Sequence, residues 1–219
     1  MIKATDSARA RYNAIQRPGV ITTPGYLRLE ASLQGTQTNI RFNVLTNEGG
    51  SQTVNERRLN LVDNFAVTHL GIFVYKIGAA SPTAAQMAAA RLRTNDNALV
   101  FTAASESDNI HALYNGNLKV TINSTVYVEA LDLMRFYRVG EAQKGVGPAV
   151  ITTEDQWSAP NWGMSELTPG FELSGAGKND ISISLPAAVD TSGTSSVNYV
   201  VCYMRGFLLQ NASRLNPNA

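Results

Sequence analysis

The chain reads as mainly β: a β-sandwich with one short helical insertion and long loops. Three observations predict this. Short runs alternate large apolar with small polar residues, most cleanly at Asn39–Val44, Asn117–Asn123 and Asp180–Leu185. Successive strand side chains point in opposite directions, so each run offers one apolar face that a second layer must cover. Stretches rich in Gly, Pro, Asn and Thr separate the runs, as turns require. At 219 residues the chain is long enough to bury a core without disulfides.

The elements follow in order. Residues 1–19 form a basic arm, with Lys3, Arg9, Arg11 and Arg17 against Asp6, a net +3. A frayed terminus, a contact with neighbouring subunits and a weak contact with nucleic acid all stay open for it. Four cations without interleaved aromatics are thin grounds for nucleic acid. Tyr26–Leu33 and Asn39–Leu45 read as strands joined in a hairpin through Gln34–Thr38. Asp63-Asn64 breaks the chain before a long strand, Phe65–Ile77, apolar on both faces and therefore central. Gly71 within it marks a bulge or a close approach. Ser81-Pro82 starts the one helix, near 82–93, on a run of alanines. Extended chain resumes at Ala98–Phe101. Tyr114–Asn117 is a tight turn, followed by strands at Leu118–Asn123 and Val126–Leu131. Asp132–Val139 is taken as strand from its aromatic end. Residues 140–178 form a long loop carrying Trp157, Trp162 and Phe171. The last strands are Asp180–Leu185 and Ser196–Leu209, with Gly206 at a bulge, and a polar tail covers 210–219. One sandwich domain thus spans 20–209.

Composition bounds the function. Lys and Arg number 18 against 17 Asp and Glu, and charged residues are 16% of the chain, where roughly 25% is usual for soluble domains. A thinly charged chain with net charge near zero leans toward burial of its surface by partners. No stretch approaches the roughly 20 apolar residues that cross a bilayer. The Met1–Asp6 start lacks a signal core, which argues against ordinary secretion. Cys202, the one cysteine, lies in an apolar run and reads as a buried small hydrophobe.

Chemistry is sparse. Two histidines and one cysteine limit catalytic and metal-binding options, and nucleotide grips, metalloprotease helices, EF-hand loops and nucleophile elbows are absent. His69 on its strand reads as structural. His111 would serve as a base only if the fold brought it to an acid and a pocket. The expectation is no catalytic, cofactor or metal site. The candidate interface residues are instead Arg9, Arg11, Arg17, Trp157, Trp162 and Phe171. Tryptophans in a loop are pinned on the domain, meet a partner, or stack on a sugar.

The stretches Asn64–Gly71 and Leu113–Ile122, with the basic start, about eight strands and one helical insertion, resemble jelly-roll-like bacteriophage virion proteins. The resemblance covers two thirds of the chain, rests on no diagnostic motif, and leaves the loop after Gly140 unmatched. It implies a jelly-roll fold and a capsid or other shell subunit made in the host cytoplasm. Its partners would be further copies and other virion proteins. The alternative is a glycan-binding or host-attachment module that uses Trp157 or Trp162 as its platform.

Overall fold

The segment Asn64–Ile77 alternates Val, Phe, Ile and Tyr on both faces, and both faces are covered along most of its length. A strand of that kind belongs inside a sheet. In the computed structural model, which describes residues 12–50, 52–139, 163–191 and 196–215, it is the third of eight strands. They are β1 (Ile21–Ser32), β2 (Gln37–Phe42), β3 (Asn64–Ile77), β4 (Asn117–Ile122), β5 (Thr125–Asp132), β6 (Met164–Ser174), β7 (Asn179–Val189) and β8 (Val197–Gln210). Among the described residues, helix occurs as a turn at 12–15, α1 (Ala84–Ala88), α2 (Ala104–Tyr114), a 3-10 turn at Leu133–Phe136 and α3 (Ala212–Leu215).

The strands form two four-stranded sheets, ordered β1-β8-β3-β6 and β2-β7-β4-β5, and every pairing is antiparallel. The pairing is nested. First pairs with last, second with seventh, third with sixth and fourth with fifth; β8–β3 and β7–β4 then join these pairs into sheets. Inward residues of both sheets merge into one apolar cluster. Leu29, Ile72, Cys202 and Met204 come from the first sheet, and Ile40, Phe42, Val120 and Ile183 from the second. Each large aliphatic or aromatic side chain buried there contributes about 1.5–3 kcal/mol. A smaller cluster on the outer side of the first sheet gathers Phe73, Tyr75, Ile77 and Val201 under Met87, Ala90 and Leu92.

Several expectations are corrected. The strands at Tyr26–Leu33 and Asn39–Leu45 are not a hairpin, since β1 pairs with β8 and β2 with β7. Alternation says which face of a strand is apolar, not which neighbour it takes. Leu33 shows the crossing: its N–H donates to Asn198 O, and its carbonyl accepts from Thr191 N. The helix expected near 82–93 shrinks to α1. Thr83, not Ser81, caps it in a box with Gln86, and Arg93 leaves helical geometry to exchange two 2.8 Å backbone bonds with Val74. A second helix, α2, stands where none was expected, so there is more than one helical insertion. Asp132–Val139 is not a strand. Asp132 ends β5 and accepts from Met134 N, which starts the 3-10 turn. The loop set at 140–178 contains β6 at Met164–Ser174.

Both glycines singled out in strands are sites of close approach. A Cβ on Gly71 would lie 2.7 Å from the Phe73 ring and 2.8 Å from Gly163 O. Register shifts between Val67 and His69, so the bulge lies on β3 and Gly206 faces it from β8. A Cβ on Gly206 would fall inside contact distance of the Ala66 carbonyl oxygen. Backbone cannot give way as a flexible side chain does, and overpacking costs about 1–3 kcal/mol. Gly206→Ala is therefore expected to lower stability by about 3 kcal/mol, read as a fall in urea midpoint. An unchanged midpoint would show that the ladder opens there freely.

Candidate functional site

Edges are where a sheet protein meets others, because an edge strand presents unpaired N–H and C=O groups. The four edges of the described sheets are blunted by different means and to different degrees. β1 contains Pro24 and β6 contains Pro169, and proline cannot donate to a further strand. β2 is six residues long, with Arg41 Nε 3.2 Å from Asp180 across the pairing. β5 has no proline and runs eight residues, most of them exposed, with two register shifts against β4. Val126 is 44% and Tyr127 54% exposed, and Glu129 with Lys119 at 3.2 Å supplies the only ion pair along it among the described residues.

Beside β5 lies an open apolar groove of about 510 Å³. Ile15, Val67, Tyr127, Pro169, Phe171 and Phe207 contribute to its walls. The N-terminal turn is held against it: the Tyr12 ring sits 5.5 Å from Phe207, and Arg17 Nη2 lies 2.9 Å from Glu172 Oε2. The other Glu172 oxygen accepts from Asn64 Nδ2 at 2.7 Å. Arg17 thus fastens the start of the described chain to β6. Phe171, expected among partner contacts, is 6% exposed and belongs to the core cluster while bordering the groove. Arg9, Arg11, Trp157 and Trp162 lie outside the described residues.

The outer face of the first sheet carries a feature that the sequence reading missed. Tyr26 and Tyr203 stack at 5.3 Å with planes 3° apart. Arg57 lies 4.9 Å above Tyr26 and Arg205 5.8 Å above Tyr203. The signal was present as Tyr-x-Arg at 26–28 and again at 203–205. Beneath lies a buried network. Glu30, with no exposed side-chain surface, pairs with Arg28 at 2.6 Å and accepts from Thr53 Oγ1 and the Tyr75 hydroxyl, both at 2.6 Å. Glu56 holds Arg58 by two 3.0 Å bonds.

The histidines are placed as follows. His111 Nδ1 comes 3.6 Å from Asp96 Oδ2, and Asp96 also accepts from the Tyr137 hydroxyl and from Ser107 Oγ at 3.3 Å. His111 therefore does converge with an acid, on a surface where its side chain is nearly half exposed. Asp96 there ties its loop to α2 and to the 3-10 turn. His69 Nδ1 is 3.0 Å from Thr68 Oγ1, in the bulge. No three His, Cys, Asp or Glu side chains gather as metal ligands among the described residues, and none of their helices is long and apolar enough to cross a membrane. No family model, curated protein or solved structure matches the chain.

Burial shifts several titrations in one direction. It pushes the Cys202 thiol up to about 12. Tyr75 is raised strongly by burial and by donating to Glu30, and Tyr137 by burial and by donating to Asp96. The fold favours the protonated forms, so their stabilisation is complete below the ordinary thiol and tyrosine values of 9.0 and 10.0. It is lost as pH rises past them, because the unfolded chain releases its protons first. Urea midpoints are expected to hold to pH about 9 and then to fall steadily toward 12, with Cys202 unreactive to a thiol reagent until unfolding. A flat midpoint across that range, or rapid labelling of native protein, would contradict the burial assignments.

Proposed function

We propose that this chain is a structural subunit of a self-assembling particle, of the kind that forms a bacteriophage shell. We further propose that its two sheets face each other as an eight-stranded jelly roll. The observation that carries the reading is the nested pairing of first strand with last, second with seventh, third with sixth and fourth with fifth. A single long antiparallel ribbon folded over at the β4–β5 turn has this pairing, and rolling the ribbon brings β8 beside β3 and β7 beside β4. Jelly rolls serve viral capsids, lectins and cupins, so the roll alone does not select among them.

Two surface features favour the shell. β5 is an exposed edge free of proline, though bulged twice against β4 and carrying Glu129, and among the described residues the apolar groove beside it adds side-chain contacts next to that edge. In a lone soluble protein such an edge invites unwanted pairing; in a subunit it is where a neighbouring copy adds. The sparse charge of the chain agrees with a surface largely covered after assembly. Interfaces of obligate type bury roughly 2,000–5,000 Å², so subunit folding and assembly reinforce each other by mass action.

Light scattering and negative-stain imaging of the purified chain test the reading. Large, regular species are expected, and Val126→Lys with Tyr127→Glu should break them down to monomer or a small oligomer while leaving the melting temperature within a few degrees, as exposed substitutions do. A wild-type chain that stays monomeric at high micromolar concentration, and is also found outside particles in its native source, would sink the proposal. Unchanged assembly of the double variant would move the contact away from β5.

A further inference from the structure

We propose that the outer face of the first sheet binds single-stranded nucleic acid through a checkerboard of tyrosine and arginine. Tyr26-Leu27-Arg28 on β1 and Tyr203-Met204-Arg205 on β8 repeat one pattern. Their antiparallel register sets Tyr26 opposite Arg205 and Arg28 opposite Tyr203. Leu27 and Met204 are buried in the core, which turns the two tyrosines and two arginines to the other face. Arg57 adds a third guanidinium. Its backbone exchanges bonds of 2.8 and 3.0 Å with Arg28, and its side chain caps the Tyr26 ring.

Charge on this face is layered. Glu30, the acid of the same row, lies underneath with no exposed side-chain surface and is committed to Arg28, Thr53 and Tyr75. Arg57 and Arg205 are exposed and Arg28 partly so. Glu166, across His69 from Arg205, bounds the patch at the sheet edge. The outermost charges over the rings are thus cations interleaved with aromatics, the arrangement missing from the N-terminal arm. Guanidinium groups meet phosphates while ring faces accept unstacked bases. Tyr26 is 37% exposed, and a base stacking on it would displace Arg57 from the ring and bring its guanidinium to a phosphate. A duplex keeps its base faces hidden, and the guanidinium charges favour an anionic ligand over a neutral sugar.

Fluorescence anisotropy of a labelled thymidine oligonucleotide with the full chain, at two salt concentrations, tests this. Binding that weakens with salt is expected. Tyr26→Leu should weaken it about tenfold by removing base stacking, and Tyr26→Phe should retain it. Arg57→Gln and Arg205→Gln should each reduce the salt slope by about 0.7. Melting temperatures are read alongside; if Tyr26→Leu unfolds, the Tyr26→Phe and Arg57→Gln arms still decide. Wild-type protein that ignores the oligonucleotide, or variants that bind it unchanged, overturns the proposal. Equal binding of heparin with the same residue dependence overturns it as well. Sizing the same variants separates this reading from assembly: lost oligonucleotide binding with intact particles supports it, and lost particles with intact binding refutes it.

Discussion

The structure depends on β8. This strand is fourteen residues long, lies between β1 and β3, and comes near the end of the sequence. Nothing in the first sheet is complete until it arrives, because β1 has no other strand partner and β3 would otherwise be held only by β6 and the single bridge from Val74 to Arg93. The cost is loop closure over almost the whole chain. The return is that Val200, Cys202 and Met204 enter the shared core in one stroke, while Tyr199 and Tyr203 reach the outer face.

Loops are held by a different means. Among the described residues three carboxylates, Glu30, Glu56 and Glu106, are almost fully buried, and each is matched rather than left to bear its desolvation alone. Glu30 fixes the 52–58 loop through Thr53, and Glu56 with Arg58 closes the same loop on itself. Glu106, in the first turn of α2, meets Lys76 Nζ at 2.6 Å and Asn198 Nδ2 at 2.7 Å. That bond docks the helix onto the ends of β3 and β8. A chain with few charges spends several of them inside, where loss of one partner would strand the other.

How much of this was legible follows from what each signal encodes. The strands expected at 65–77, 118–123, 126–131 and 180–185 were readable because β-branched and aromatic residues alternate there and turn residues bound them, whereas the continuation of β7 to Val189 was not. Partner choice was not readable. Asn39–Phe42 faces β7, distant in sequence, and no local pattern announces it. α2 escaped because Ala103 offers no side-chain cap, and its apolar residues Ile110, Leu113 and Tyr114 crowd one end. Its decisive contact, Glu106 with Lys76 and Asn198, is tertiary. β6 escaped for a related reason: Pro169 and Gly170 interrupt its pattern at the point where its pairing with β3 skips from Phe171 to Glu166. The tyrosine and arginine pattern was in plain view, but two copies 177 residues apart mean nothing until register sets them side by side.

On the assembly reading, geometry imposes one further requirement. Two β5 edges meeting antiparallel would form a contact related by a two-fold axis, and such a contact closes on itself as a dimer. A shell needs at least one second contact of another kind. The opposite edge of the first sheet is stopped by Pro24, and Ile21, 61% exposed at its start, offers side-chain rather than backbone contact. A second contact made by side chains would find apolar surface among the described residues in the groove at Phe171 and Phe207 and at Ile21 on β1. Backbone pairing would set the two-fold, and side-chain packing would set the curvature.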